Sequence, residues 1–233
     1  MKAVILAGGL GSRLRPFTEV IPKPLLPIGE KAVLEIQIEH LREHGFNQIW
    51  LATNYKSSYI QNFFGDGSAY GVELTISKEE KRLGTVGPLT LLKDQLTEPF
   101  LMMNGDILSL VNFREMYDFA CKSKASLTVG TKQITTPFQF GNLYFEGDFV
   151  TGIEEKPDIK SMIVAGIYVL TPEIFKHIPD NEYYGIDQLI LKMLDLGDPV
   201  AKYEIKQYWL DIGKIDDYEK AQAIYTEHFE DKS

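Results

Sequence analysis

A single cysteine, Cys121, stands among 233 residues, so the chain has no internal disulfide, which fits a reducing compartment. No run of 18 apolar residues occurs, so no segment reads as a membrane-spanning helix. Basic residues are outnumbered, 24 Lys and Arg against 33 Asp and Glu, for a net charge of −9. That balance gives no global electrostatic case for nucleic-acid binding, and an anionic ligand has to be held by a local basic cluster. Linkers, repeats and low-complexity stretches are missing too. The composition, 44% hydrophobic and 24% charged, is ordinary for a globular chain and excludes disordered and collagen-like classes. The apolar start Ala3 to Ala7 runs into Gly8-Gly9 and two arginines with no small-residue cleavage site. It is therefore not a signal peptide, and a cytoplasmic location is expected.

What is present is an alternation of strand and helix. Residues 2–7 are a buried strand closed by two glycines, residues 31–44 a helix with one apolar face, and Gln48 to Thr53 the next strand. A short helix is expected at Tyr59 to Phe64, strands at Leu74 to Ser77 and Phe100 to Met103, and a helix at Gly87 to Leu96. Such alternation predicts a mostly parallel sheet with helices on both faces, which binds ligands beyond the carboxyl ends of its strands. The second half turns β-rich: Ser126 to Gln133, Gly141 to Phe145, Phe149 to Glu154, Ile163 to Leu170 and Val200 to Leu210. Helices follow at Ile186 to Leu196 and Asp216 to Phe229. One α/β domain over 1–233 with an added β-rich portion is the expected architecture.

Two features invite over-reading. Cys121 follows Met116 and Phe119 in a helical stretch and reads as a small core residue rather than a nucleophile. His40-Leu41-Arg42-Glu43-His44 has the inverted zinc-protease pattern, but it abuts Gly45, and histidines at a helix C-terminus suit the dipole and the free carbonyls.

The chemistry concentrates in Leu6-Ala7-Gly8-Gly9-Leu10-Gly11-Ser12-Arg13-Leu14. Glycines let backbone N–H groups approach an anion, although a plain turn reads the same way. The dinucleotide fingerprint fails because Leu14 stands where a third glycine belongs, and no P-loop string occurs. Beyond the glycines come Arg13 and Arg15. Pro16-Phe17-Thr18 and Pro22-Lys23-Pro24 then predict a stiff irregular loop able to bring Lys23 back over the glycine turn. Arg13 offers phosphate a planar fork and Lys23 a point charge.

The string Gly8 to Thr18 with Pro22-Lys23-Pro24-Leu25 resembles the signature of sugar-1-phosphate nucleotidylyltransferases. The resemblance continues in family order through residue 213. Leu83-Gly84-Thr85-Val86-Gly87-Pro88 resembles the base-contacting segment and Asn104-Gly105-Asp106 the metal-binding turn. Glu154-Glu155-Lys156-Pro157 resembles the sugar-phosphate motif, and Trp209-Leu210-Asp211-Ile212-Gly213 the segment with the second metal carboxylate. Gly141 and Val164-Ala165-Gly166-Ile167-Tyr168 match the sugar pocket. The looser match is Tyr183 to Leu189, and Lys81-Arg82 is more basic than the family's pair.

The resemblance implies a Rossmann-like mixed sheet with an NTP-binding half near 1–110 and a sugar-phosphate half near 111–233. It implies that Leu6, Ala7, Gly8, Gly9, Gly11, Ser12, Arg13, Lys23, Gly84 and Thr85 bind the NTP. Gly141, Glu155, Lys156 and Gly166 would bind the sugar phosphate, and Asp106 and Asp211 would hold Mg²⁺, with Arg13, Lys23 and Asp106 catalytic. Asn54-Tyr55 and Phe63 to Ser68 look most like the guanylyltransferase side of the family, which takes mannose- or heptose-type phosphates. Rival readings are a uridylyl- or thymidylyltransferase, a cytidylyltransferase on an acidic sugar or polyol phosphate, and a non-catalytic subunit that binds NDP-sugar. Stopping at residue 233 speaks against a member extended by a β-helix or acyltransferase domain. Dimers are common in the family, so a homodimer is an expectation by analogy.

Overall fold

The computed structural model describes residues 1–54 and 56–229; Tyr55 lies outside the described residues. In chain order the strands are β1 (Lys2–Leu6), β2 (Pro27–Ile28), β3 (Lys31–Ala32), β4 (Gln48–Thr53), β5 (Glu73–Lys78), β6 (Phe100–Asn104), β7 (Ile107–Ser109), β8 (Leu127–Pro137), β9 (Asn142–Glu146), β10 (Phe149–Glu154), β11 (Asp158–Leu170), β12 (Val200–Glu204) and β13 (Trp209–Asp211). The helices are α1 (Phe17–Val20), α2 (Val33–Glu43), α3 (Ser57–Phe64), α4 (Phe113–Ser123), α5 (Ile186–Asp195) and α6 (Ile215–His228).

Seven strands form the central sheet in the order β12-β8-β11-β6-β1-β4-β5. Neighbours run parallel except at β11, which is antiparallel to both β6 and β8. The sheet is covered on both faces, which is why β1 and β6 read as unbroken apolar runs. Ala3 and Ile5 pack with Leu34 and Ile38 of α2, Ile60 and Phe64 of α3, and Phe113 and Met116 of α4. Val4 points the other way, to Leu89, Leu92, Ile174 and, on α5, Leu189 and Met193. This is the expected mixed α/β sheet. A third cluster ties α6, through Ala221 and Tyr225, to Leu14, Ile28, Leu108 and Ile212. It anchors the chain that leaves the glycine loop, at Leu14.

The β-rich portion is a ribbon of β8 and β11 that outgrows the sheet and carries the β9–β10 hairpin, turning at Gly147 (φ 57°). Phe145, Phe149, Val150 and Ile153 stand exposed on this arm. Among the described residues no helix is long and apolar enough to cross a membrane.

Several expectations need correction. Gly87 to Leu96 is not an α-helix; Gly87–Leu92 winds as a 3₁₀ turn, with Pro88 in its first turn. Val200 to Leu210 is not one strand. β12 stays in the sheet, the carbonyls of Lys206 and Gln207 accept from Lys132 Nζ, and β13 leaves to pair with β7. Residues 31 and 32 pair with β2 instead of starting the helix. The proline-rich loop is not wholly irregular, since α1 fits between Pro16 and Pro22. Cys121 is exposed: Phe113, Met116 and Ala120 take the core face of α4, and the next residue turns away from it.

Candidate active site

Strands β1 and β6 lie side by side in parallel, with Leu6 opposite Asn104, so the segments that follow them open at the same sheet edge. Gly105 N–H donates to Leu6 O at 3.0 Å, and a Cβ on Gly105 would stand only 2.8 Å from that oxygen. The Gly105-Asp106 turn therefore presses directly on the start of the glycine loop. Ala7 is buried beneath it, its N–H donating to Ala52 O at 2.8 Å.

Gly11 is the pivot of the loop. It sits at φ 60°, and an added Cβ would be 2.8 Å from Thr18 Cγ2 and 3.1 Å from Lys23 Cβ. Thr18 Oγ1 donates to Gly11 O at 2.8 Å. The returning proline-rich chain thus packs on the glycine itself and delivers Lys23, as its stiffness predicts. Lys23 is buried and pairs with Asp106 Oδ2. The Arg13 guanidinium lies over Gly213, where a Cβ would meet Nη2 at 3.4 Å.

Asp211 reaches the same place by the β7–β13 pairing, which sets it opposite Ile107, and Ile212 N–H donates to Asp106 O at 2.9 Å. Asp106 Oδ1 and Asp211 Oδ1 are both buried with no hydrogen-bond partner among the described residues. Burial, and then the neighbouring Asp106 charge, hold the Asp211 carboxyl above the usual carboxylate range, against the pull of Lys23 and Arg13. Two orphaned carboxylate oxygens suit a hard divalent cation. Among the described residues no group of three His, Cys, Asp or Glu forms a metal cage. Mg²⁺ fits such a site, because it binds through one or two carboxylates and completes its shell with water and phosphate oxygens.

A cavity of about 490 Å³ opens over this floor. Its wall brings together Leu6, Gly8, Gly9, Gly11, Ser12, Arg13, Lys23, Gly84, Thr85 and Asp106. The N–H groups of Thr85, Val86 and Gly87 all donate to Tyr184 O, at 3.2, 3.0 and 3.2 Å. The loosely matching segment before α5 is therefore the partner of the base-type loop, and it places Tyr183 on the cavity wall.

The sugar-phosphate candidates separate. Gly166, at φ 69°, packs under the Asn104 side chain, itself on the wall. Gly141 and Glu155 are neighbours, 2.9 Å from a would-be Cβ to Oε2, but with Lys156 (φ 48°) they sit exposed at the root of the hairpin arm and do not line the cavity. The two histidines of the H-x-x-E-H string face backbone: His40 Nε2 is 3.0 Å from Val111 O and His44 Nδ1 is 2.8 Å from His40 O. The wall residue that sequence reasoning misses is Glu79. It lies in the run Lys78-Glu79-Glu80-Lys81-Arg82, and a run of five charges carries no signal for which member turns inward.

The profile of the nucleotidyl transferase family matches residues 2–228. The chain belongs to the nucleotidyl transferase family. Its curated relatives include sugar-1-phosphate nucleotidylyltransferases. Mannose-1-phosphate guanylyltransferase 1 of Arabidopsis thaliana is 31% identical, the alignment covering 100% of this chain and 67% of that protein. UTP–glucose-1-phosphate uridylyltransferase of Synechocystis sp. is 33% identical over 95% of this chain and 62% of its own length. Among solved structures, HddC from Yersinia pseudotuberculosis complexed with GMP-PN matches with a TM-score of 0.73 and 26% identity, covering 96% of this chain and 99% of that one. Membership accounts for the order of the motifs from the glycine loop to Asp211.

Proposed function

We propose that this nucleotidyl transferase moves a nucleoside monophosphate from an NTP, with GTP as the donor, to a mannose- or heptose-type sugar 1-phosphate. The products are an NDP-sugar and pyrophosphate. The observation that carries this reading is the convergence of Lys23, Arg13 and Asp106 with the glycine loop on one cavity. The guanylyltransferase relative and the neighbour complexed with GMP-PN support the choice of GTP.

The phosphate oxygen of the sugar phosphate attacks the α-phosphorus in line, the P–O bond to the β-phosphate breaks, and pyrophosphate leaves with the electron pair. The nucleophile is already an anion, so no general base is needed. The obstacle is charge, and catalysis is positioning plus electrostatic stabilisation. In this reading the backbone N–H groups of Gly8 to Ser12 cradle the triphosphate. Arg13 and Lys23 offset charge on the leaving pyrophosphate. Asp106 and Asp211 hold Mg²⁺, which when bound neutralises charge around the reacting phosphate oxygens. Gly141, Glu155, Lys156 and Gly166 bind the sugar phosphate, and the hairpin arm has to bring the first three to the cavity. Residues 1–110 form the nucleotide half and 111–233 the sugar half of one domain.

A uridylyl specificity is the second reading, and the Synechocystis relative favours it. The test is pyrophosphate release with Mg²⁺, crossing GTP, UTP, dTTP, CTP and ATP against hexose and heptose 1-phosphates, with EDTA controls. GTP with one mannose- or heptose-type partner should stand far above the rest and be abolished by EDTA. Preference for UTP or dTTP selects the second reading, and no release by a folded, nucleotide-binding protein selects a regulatory subunit.

A further inference from the structure

A polar residue stands in the core-facing stripe of α2. Leu34, Ile38 and Leu41 fill that stripe at helical spacing, and Gln37 falls among them, 3% exposed. An amide buried in this way is costly unless it is hydrogen-bonded. Gln37 Nε2 donates both of its protons, to Asn104 O at 3.0 Å and to Ile107 O at 2.7 Å. The two carbonyls settle which end of the amide faces them, because an oxygen there would be repelled. Oε1 is buried without a partner among the described residues, so the side chain is held by its donors.

The two acceptors flank Gly105-Asp106, one at the end of β6 and the other at the start of β7. One side chain thus ties both ends of the turn that presents Asp106. The same helix holds the other half of the floor. Val33 N–H, on the first residue of α2, donates to Leu26 O at 3.1 Å, just past the turn that carries Lys23. Val33 and Gln37 lie about one helical turn apart, ~5–6 Å along the axis. α2 is therefore a common bracket for the two partners of the ion pair. It grips the lysine's loop at Val33 and the aspartate's turn at Gln37. A leucine at 37 would suit the stripe and could hold neither carbonyl.

We propose that Gln37 is a positioning residue for the transfer reaction, its amide holding the Asp106 carboxylate in register with Lys23 and Asp211. It acts through the turn and touches no substrate. This rests on the reading of Asp106 as a metal-holding carboxylate. Loosening the turn should weaken the metal and leave the nucleotide's own contacts in place, a split that a general loss of stability does not produce.

The test uses Gln37→Met, of similar length with no donor, and Gln37→Asn, which keeps the amide but is one methylene too short to reach both carbonyls. Tyr117→Phe is the control, because it loses a bond from α4 to Pro99 O (3.0 Å) at the other end of β6. All are measured below their unfolding transitions. Mn²⁺ affinity is read by electron paramagnetic resonance with saturating GTP, and GTP affinity by calorimetry in EDTA. Amide exchange is followed at Ile212, whose N–H donates to Asp106 O. Gln37→Met should bind Mn²⁺ about 10–100-fold more weakly, the scale for losing an outer partner of a metal ligand, and kcat should fall with it. Gln37→Asn should lie between Gln37→Met and the wild type. Ile212 exchange should quicken in both, GTP affinity in EDTA should hold, and Tyr117→Phe should change none of these. Wild-type Mn²⁺ affinity in folded Gln37→Met overturns the proposal, as does an equal loss of GTP affinity in EDTA. The same criteria apply to Gln37→Asn, which decides alone where Gln37→Met does not fold. A wild type that binds no Mn²⁺, with Ile212 exchange still quickened by Gln37→Met, upholds Gln37 as the residue that positions Asp106 and overturns the metal reading alone.

Discussion

Lys23 and Asp106, 83 positions apart in the chain, form a direct ion pair at the floor of the cavity. Their side chains are 10% and 25% exposed. The pair joins the proline-rich loop to the turn after β6, so the cation proposed to meet phosphate and the carboxylate proposed to meet a metal are placed by one contact. Oδ2 of Asp106 is spent on the lysine, and Oδ1 stays buried without a partner among the described residues.

Removing either member should therefore be costly in different ways. Lys23→Ala and Asp106→Ala should each lower turnover at least ~100-fold, the scale for one preorganised charge-stabilising group. Lys23→Ala should also destabilise the fold in urea titrations, because it leaves the half-buried Asp106 carboxylate charged and without its partner. Asp106→Asn keeps an oxygen acceptor for Lys23 Nζ, and the Asp211 carboxylate still faces that cation, so it should cost less stability than Lys23→Ala. Turnover near the wild-type value in Asp106→Ala would remove the carboxylate from the chemistry.

Most of this floor is legible in the sequence, because prolines and glycines have one-residue consequences. Gly11, Pro22 and Pro24 predict a loop folded back on itself, and Lys23 can then go to few places. β4 is read to the residue because its apolar run is closed on both sides. Less is legible where the partner is far along the chain. Tyr184 O, which accepts from Thr85, Val86 and Gly87, leaves no mark of its own, because a backbone oxygen is present whatever the residue type. Glu79 is hidden among exposed charges, since inward rotation is decided by the Leu83 N–H and not by residue type. Cys121 is misplaced by one position on α4, enough to turn it through ~100° and out of the core.

Gly11→Ala should weaken both fold and nucleotide binding. The left-handed backbone alone costs an alanine roughly 1–2 kcal/mol, and the new Cβ would be 2.8 Å from Thr18 Cγ2. Gly9→Ala is the matched control, with nothing within 4 Å of its Cβ, and its stability should stay within ~0.5 kcal/mol of the wild type. Equal unfolding midpoints for the two variants would show that the proline-rich loop does not depend on Gly11.

His40 should make the fold acid-sensitive. Burial first, and then the charge of His44, hold its pKa below the ordinary 6.5, although Val111 O and Glu43 pull it up. Above pH 6.5 the imidazole is neutral in both states and stability is fully present. As pH falls from there through the lowered native value, the unfolded chain takes up a proton that the native site resists, and stability is lost. Urea unfolding at pH 7.5 and 5.5 should show a larger loss in the wild type than in His40→Gln, which keeps a donor for Val111 O. Parallel losses in the two proteins would rule His40 out as the source.

Gly84 should control whether the Leu83–Gly87 wall of the cavity holds its shape. It sits at φ 81°, and an added Cβ would meet Tyr184 O at 2.7 Å, a backbone atom that cannot swing aside. That oxygen accepts from Thr85, Val86 and Gly87, so displacing it frees three N–H groups at once and moves Tyr183 with them. Gly84→Ala should therefore raise the KM for NTP on the order of 10-fold, the equivalent of ~1.4 kcal/mol of lost wall contacts. Hydrogen exchange at the amides of residues 85–87 should accelerate in parallel. Gly65→Ala has a similar left-handed strain, φ 58°, but open space around its Cβ, so it should lower stability without moving KM. A Gly84→Ala protein with wild-type KM and protected amides would mean that the segment before α5 and the Leu83–Gly87 loop are joined only in passing, and that the cavity wall on this side is set by β5 alone.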